Sequence, residues 1–115
     1  MGAYSQAVVA GNLVFVSGQI AINPQTGKLE GKTVGEQTRR VLSNIKAILS
    51  AVGLSEKNVV KTTVYLTDLS RFGELNEVYN EFFKGHKPAR ETVEVKALPL
   101  GALVEISAIA VIEDV

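Results

Sequence analysis

The chain reads as an α+β protein, a mixed sheet carrying two helices on one face in the order β–α–β–α–β–β. Three observations predict this. Two apolar stripes at helical spacing alternate along the chain with short β-branched runs. Glycine or proline punctuates most of the boundaries between them. The final run, Leu103 to Ile112, is apolar at nearly every position, as a strand in the middle of a sheet is. A helix with a single greasy face needs a sheet to lie against, and two helices can cover only one side of it. At 115 residues the chain is expected to form a single domain over residues 1–115, with a modest core.

The first strand is Leu13-Val14-Phe15-Val16-Ser17, entered through Gly11-Asn12 and closed by Gly18. Ile20 and Ile22 are expected to extend it past a kink at Gly18, before Asn23-Pro24-Gln25-Thr26-Gly27 turns the chain. Thr33 and Glu36 have the spacing of a capping box, a hydroxyl at the N-cap with a carboxylate three residues on. Behind them Val41, Leu42, Ile45, Ile48, Leu49 and Val52 form one stripe, and Gly53 supplies a stop. Val59 to Leu66, rich in Val, Thr and Tyr, is a second strand. A second helix runs from about Ser70 to Lys84, with Phe72, Leu75, Tyr79 and Phe82 on one face and Gly85 ending it. Glu91 to Lys96 alternates polar and apolar residues. After a turn at Leu98-Pro99-Leu100-Gly101 it is expected to form a hairpin with the final run, whose strand is then buried on both faces. Two helices leave the second face of that sheet bare, and another subunit is the expected cover.

Composition excludes several chemistries. The chain has no cysteine, hence no disulfide, thiolate metal site or Cys nucleophile, and its one histidine, His86, cannot supply a His-rich metal site. Twelve basic residues balance twelve acidic ones without a like-charge run, which argues against a protein held to nucleic acid mainly through phosphates. The N-terminus lacks the basic-then-apolar layout of a signal peptide, and no apolar run approaches the ~20 residues of a membrane helix. The expected address is the cytoplasm, with no membrane partner.

Two charged residues stand out. Glu105 sits inside the most apolar strand, on the face shared with Leu103, Ile109 and Val111. A carboxylate there is paired, hydrogen-bonded or raised in pKa, and a structural ion pair accounts for it as well as a functional role does. Arg90 follows Pro88-Ala89 and opens a strand. Its planar fork suits a substrate carboxylate, although an arginine in such a place is more often a surface charge. A hairpin centred on Pro99-Leu100 sets Arg90 near Ile109 and Glu105 near Glu94, which leaves the two roughly 13 Å apart at ~3.3 Å per residue. They are then free to act on a ligand or to meet across a subunit boundary. Weaker candidates are Ser17-Gly18, which ordinarily just ends a strand, Tyr4 near the terminus, and Asn76 with Tyr79, which share one helix face. His86 lies in a Gly-His-Lys-Pro loop and is expected to be solvated.

Several separated motifs together resemble one family. Gly2-Ala3-Tyr4-Ser5-Gln6-Ala7-Val8, Val16-Ser17-Gly18-Gln19-Ile20, Val60-Lys61-Thr62-Thr63-Val64-Tyr65-Leu66, Asn76-Glu77-Val78-Tyr79, Pro88-Ala89-Arg90 and Val104-Glu105-Ile106-Ser107-Ala108-Ile109-Ala110 are similar in order and spacing to the RidA/YjgF proteins. The resemblance implies a chorismate-mutase-like α+β fold assembled as a homotrimer with clefts between subunits. It implies hydrolysis of 2-enamine and 2-imine acids, such as 2-aminoacrylate or 2-aminocrotonate, to 2-keto acids and ammonia, without a cofactor or metal. By position, Arg90 matches the residue that holds the substrate carboxylate and Glu105 the acid that activates water. Tyr4, Ser17, Gly18 and Asn76 match pocket or pocket-supporting positions. Thr92 stands where many members carry cysteine and contribute a backbone carbonyl. Two departures are that Ala3 replaces a usual proline, and that the chain begins at this motif where many members have a further strand. The family is also filed as endoribonucleases and translation inhibitors, and a carboxylate-binding regulator would use the same Arg90 cleft.

Overall fold

The computed structural model describes residues 5–112. Tyr4 lies outside the described residues. The elements are β1 (Ala7–Ala10), β2 (Leu13–Gln19), α1 (Val34–Ala51), β3 (Val59–Leu66), α2 (Phe72–Phe83), β4 (Ala89–Glu94) and β5 (Val104–Val111). They build one five-stranded sheet in the order β1-β2-β5-β3-β4. All pairings are antiparallel except β3 with β4. Among the described residues no helix is long and apolar enough to cross a membrane.

Local chemistry explains the helix ends. The Thr33 hydroxyl accepts from the Glu36 amide, and the Glu36 carboxylate accepts from the amides of Lys32 and Thr33. These backbone donors, that of Lys32 first, hold Glu36 below the usual carboxylate range. The α1 stop is Val52, with Gly53 at φ +79° just beyond it, where a side chain would be strained. A single 3₁₀ turn at Leu69–Arg71, capped by Asp68, precedes α2, so the α-helix proper begins at Phe72 rather than near Ser70.

The expected hairpin does not form. β4 lies at the sheet edge, parallel to β3, while β5 crosses over and inserts between β2 and β3. The physical reason lies in β5 itself. A strand apolar on both faces is most stable with a neighbour on each side, and the polar, alternating β4 belongs at an edge. A strand absent from the sequence reading, β1, pairs with β2 across the two-residue turn Gly11-Asn12, with Gly11 at φ +63°. β2 runs through Gly18 to Gln19, with a register shift between Val16 and Gln19. Beyond it Ile22 makes only an isolated bridge to Leu29.

The core lies between the helices and one face of the sheet. Val14, Val16, Val64, Leu66, Val104, Ile106 and Ala110 point inward against Val41, Leu42, Ile45, Leu49 and Leu75. Leu42 is fully buried there. Its replacement by alanine is expected to cost about 2–5 kcal/mol, measured by chemical denaturation. The opposite face carries Val8, Phe15, Ile109 and Lys61 along one rung and Glu105, Tyr65 and Val93 along another. Among the described residues nothing covers that face: Val8 is 53% exposed and Phe15 42%.

Candidate active site

The sheet register separates the two charged candidates. Arg90 pairs with Thr62, which pairs with Ala108; Glu105 pairs with Tyr65, which pairs with Val93. Thr62 and Ala108 are buried under the helices, whereas Glu105 and Tyr65 lie on the opposite, uncovered face. Arg90 and Glu105 are therefore two strands and three rungs apart, roughly 10 Å in each direction, with the sheet between them. The hairpin estimate, which put Arg90 near Ile109 and Glu105 near Glu94, is replaced by this geometry. One chain provides two separate groups of candidate residues.

The first group surrounds Arg90. Its Nη1 donates to Asn76 Oδ1 at 3.0 Å, and its guanidinium carbon lies 5.1 Å from the Phe72 ring centre and 4.7 Å from that of Tyr79. Asn76 and Tyr79 thus make long-range contacts, not local ones. Among the described residues no carboxylate pairs with Arg90. A guanidinium has five N–H donors, so most of the fork is left for a ligand. Two residues along the same face of β4, the Thr92 hydroxyl is buried and without a hydrogen-bond partner among the described residues. Arg90, Asn76 and Tyr79 line a cleft of about 400 Å³ together with His86 and Lys87. A larger cavity, about 630 Å³, lies elsewhere, along the first turns of α1, lined by charges of both signs.

The second group is centred on Glu105. A Cβ added to Gly18 would stand 2.8 Å from the Glu105 carboxyl carbon, so the absence of a side chain at Gly18 is what lets the carboxylate lie against β2. Burial pushes the Glu105 carboxyl up from its ordinary 4.5. Ser17 and Gly18 sit in the register shift of β2, and the Ser17 hydroxyl donates to the Ser5 carbonyl. Gln19, not singled out as a candidate from the sequence, donates from Nε2 to Gln6 Oε1 at 2.7 Å and ties this strand to the segment before β1. Gly18 is not in the left-handed region, so Gly18→Ala is compatible with the backbone but displaces the carboxylate. We expect Gly18→Ala to leave the melting temperature nearly unchanged while shifting Glu105, read as a changed carboxyl chemical shift and titration midpoint by NMR.

The expectation of a solvated His86 is not met. The residue is half-buried, and its Nε2 meets the Val59 carbonyl at 2.6 Å, which requires that nitrogen to carry the proton. The aromatic cradle of Arg90 was also missed. Its signal was the i, i+4, i+7 spacing of Phe72, Asn76 and Tyr79, which was read as helix face only. Among the described residues no group of His, Asp or Glu side chains is placed to hold a metal ion.

Comparison with known proteins identifies the family. A family model described as endoribonuclease L-PSP matches residues 1–112. A RutC family protein of Pyrococcus horikoshii is 54% identical over 110 residues, covering 96% of this chain and 87% of its own length. The rat 2-iminobutanoate/2-iminopropanoate deaminase is 48% identical over 111 residues, covering 96% of this chain and 81% of its own. The crystal structure of Escherichia coli TdcF with bound serine superposes with a TM-score of 0.91 at 46% identity, over 96% of this chain and 89% of that one. A model match along nearly the entire chain, joined to relatives sharing about half its residues, means that the chain belongs to the RidA/YjgF family, the L-PSP and RutC group of proteins.

Proposed function

We propose that the protein hydrolyses reactive 2-enamine and 2-imine acids to 2-keto acids and ammonia, acting in the cytoplasm as a homotrimer whose clefts lie between subunits. The observation that carries this reading is the pair of half-sites: on one face an arginine fork with no acid partner among the described residues, and on the other a partly desolvated carboxyl over a glycine. Arg90 takes the substrate carboxylate in two parallel hydrogen bonds. Glu105 of a neighbouring copy lies across the cleft and handles protons. Water adds to the imine carbon, a proton passes to nitrogen, and the tetrahedral adduct collapses to a carbonyl as ammonia leaves. An enamine first takes a proton at its β-carbon to become the imine. A carboxyl raised above its ordinary range by burial suits both the giving and the taking of that proton. The relatedness to a rat protein named as such a deaminase, and to one solved with an amino acid bound, supports the substrate class.

The test is a coupled assay. A serine or threonine dehydratase generates 2-aminoacrylate or 2-aminocrotonate, and keto-acid appearance is followed with and without the protein. Acceleration supports the reading. No acceleration from a folded oligomer sinks it and turns attention to carboxylate sensing or to RNA cleavage, the activity named in the family model's description.

A further inference from the structure

Arg90 is held in a way that goes beyond pairing with a substrate. Phe72, Asn76 and Tyr79 occupy one stripe of α2, and all three meet the same guanidinium. Tyr79 does more than stack. Its hydroxyl shares a 2.7 Å hydrogen bond with the Thr62 hydroxyl, and Thr62 is the β3 residue directly across from Arg90 in the parallel pairing. Thr62 is 1% exposed and Tyr79 5%, so the bond is shielded from water. It therefore ties the helix that carries the ring to the strand position that faces the arginine. Burial keeps the Tyr79 phenol above its ordinary pKa of 10.0, against the opposing effects of the Thr62 bond and the Arg90 charge, so the ring facing the cation stays neutral.

We propose that Tyr79, tethered through Thr62, is a positioning residue that fixes the Arg90 guanidinium edge-on to an incoming carboxylate. Phe72 supplies a second ring and Asn76 consumes one donor, so the fork has little freedom left when a ligand arrives. Pre-organisation of this kind strengthens carboxylate binding by removing the ordering that a free arginine would undergo on contact. The chemical class recognised is a small planar 2-oxo or 2-imino carboxylate. The inference rests on the reading of Arg90 as the carboxylate anchor.

The experiment measures the dissociation constant of 2-oxobutanoate by titration calorimetry for wild type, Tyr79→Leu, Tyr79→Phe and Thr62→Val, and for Tyr79→Leu in an Arg90→Lys background. Tyr79→Leu is expected to weaken binding by roughly 3- to 30-fold, the range that loss of a partly desolvated cation–π contact implies. Tyr79→Phe and Thr62→Val keep the ring but cut the tether, and a smaller loss, alike in both, is expected. In the Arg90→Lys background, where the fork is already gone, Tyr79→Leu is expected to add little. Undiminished affinity in a folded Tyr79→Leu protein overturns the proposal. So does an equal loss with and without Arg90, which would mark Tyr79 as structural only, and so does a wild type that does not bind 2-oxobutanoate. The coupled assay is read separately: the binding pattern above without deamination keeps the positioning role and sinks the enzymatic reading, while deamination without the pattern does the reverse.

Discussion

Replacing Arg90 with alanine is expected to lower kcat/KM toward a 2-imino acid by roughly 10²–10⁴-fold, two lost charge-assisted hydrogen bonds of ~1.5–3 kcal/mol each. Thermal unfolding should stay cooperative, with a midpoint lower by several degrees. Arg90 sits on the edge strand β4, makes no ion pair among the described residues and does not belong to the buried core. Its removal forfeits two cation–π contacts and the Asn76 bond, worth about 2–4 kcal/mol together. Arg90→Lys keeps the charge but loses the planar fork, and little activity should return. Activity near wild type in either variant would show that the carboxylate is held elsewhere.

Glu105→Gln is expected to lower kcat by roughly 10²–10⁴-fold, the usual contribution of a positioned proton-transfer group. It should also leave a mark on stability whose sign is informative. The folded-state pKa of Glu105 is raised above its ordinary 4.5 by desolvation. Below about 4.5 the carboxyl is protonated in both folded and unfolded states, and it contributes no penalty. As pH rises through the folded pKa the half-buried group must ionise at a cost the unfolded chain does not meet. Glu105→Gln should therefore melt with wild type at acid pH and above it at neutral pH. The comparison is two melting curves at each of two pH values. A variant less stable than wild type at neutral pH would mean that Glu105 is a stabilising ion-pair partner.

Much of the frame was legible in the chain because its signals are local. The Thr33 to Glu36 capping box, the α1 stripe from Val41 to Leu49 and the limits of β3 depend on residues within a turn or two of one another and form where they read, whereas Val52 is exposed just beyond the helix end. The pairing of β4 was not legible. A polar alternating run, a proline turn and an apolar run make a plausible hairpin, whereas the observed parallel pairing joins Arg90 to Thr62, far away in sequence. The clue was energetic: an apolar β5 wants two neighbours, and β4 can be only one of them. β1 had a usable signal in Gly11-Asn12, a two-residue glycine-first turn between short β-branched runs, and was lost for being four residues long. At the candidate site, Arg90 and Glu105 were visible as charges in unusual company. That they face opposite sides of the sheet depends on the long-range register, so it appeared only in three dimensions.

That opposition leads to the most direct test. Arg90→Ala and Glu105→Gln proteins, each inactive alone, are unfolded together in equal amounts and refolded into mixed oligomers. If each site takes Arg90 from one subunit and Glu105 from the next, random assembly leaves both intact in about a quarter of the clefts, and about a quarter of wild-type deaminase activity should return. A mixture no more active than the separate variants would contradict a site shared between copies of this chain, and with it the roles given to these two residues.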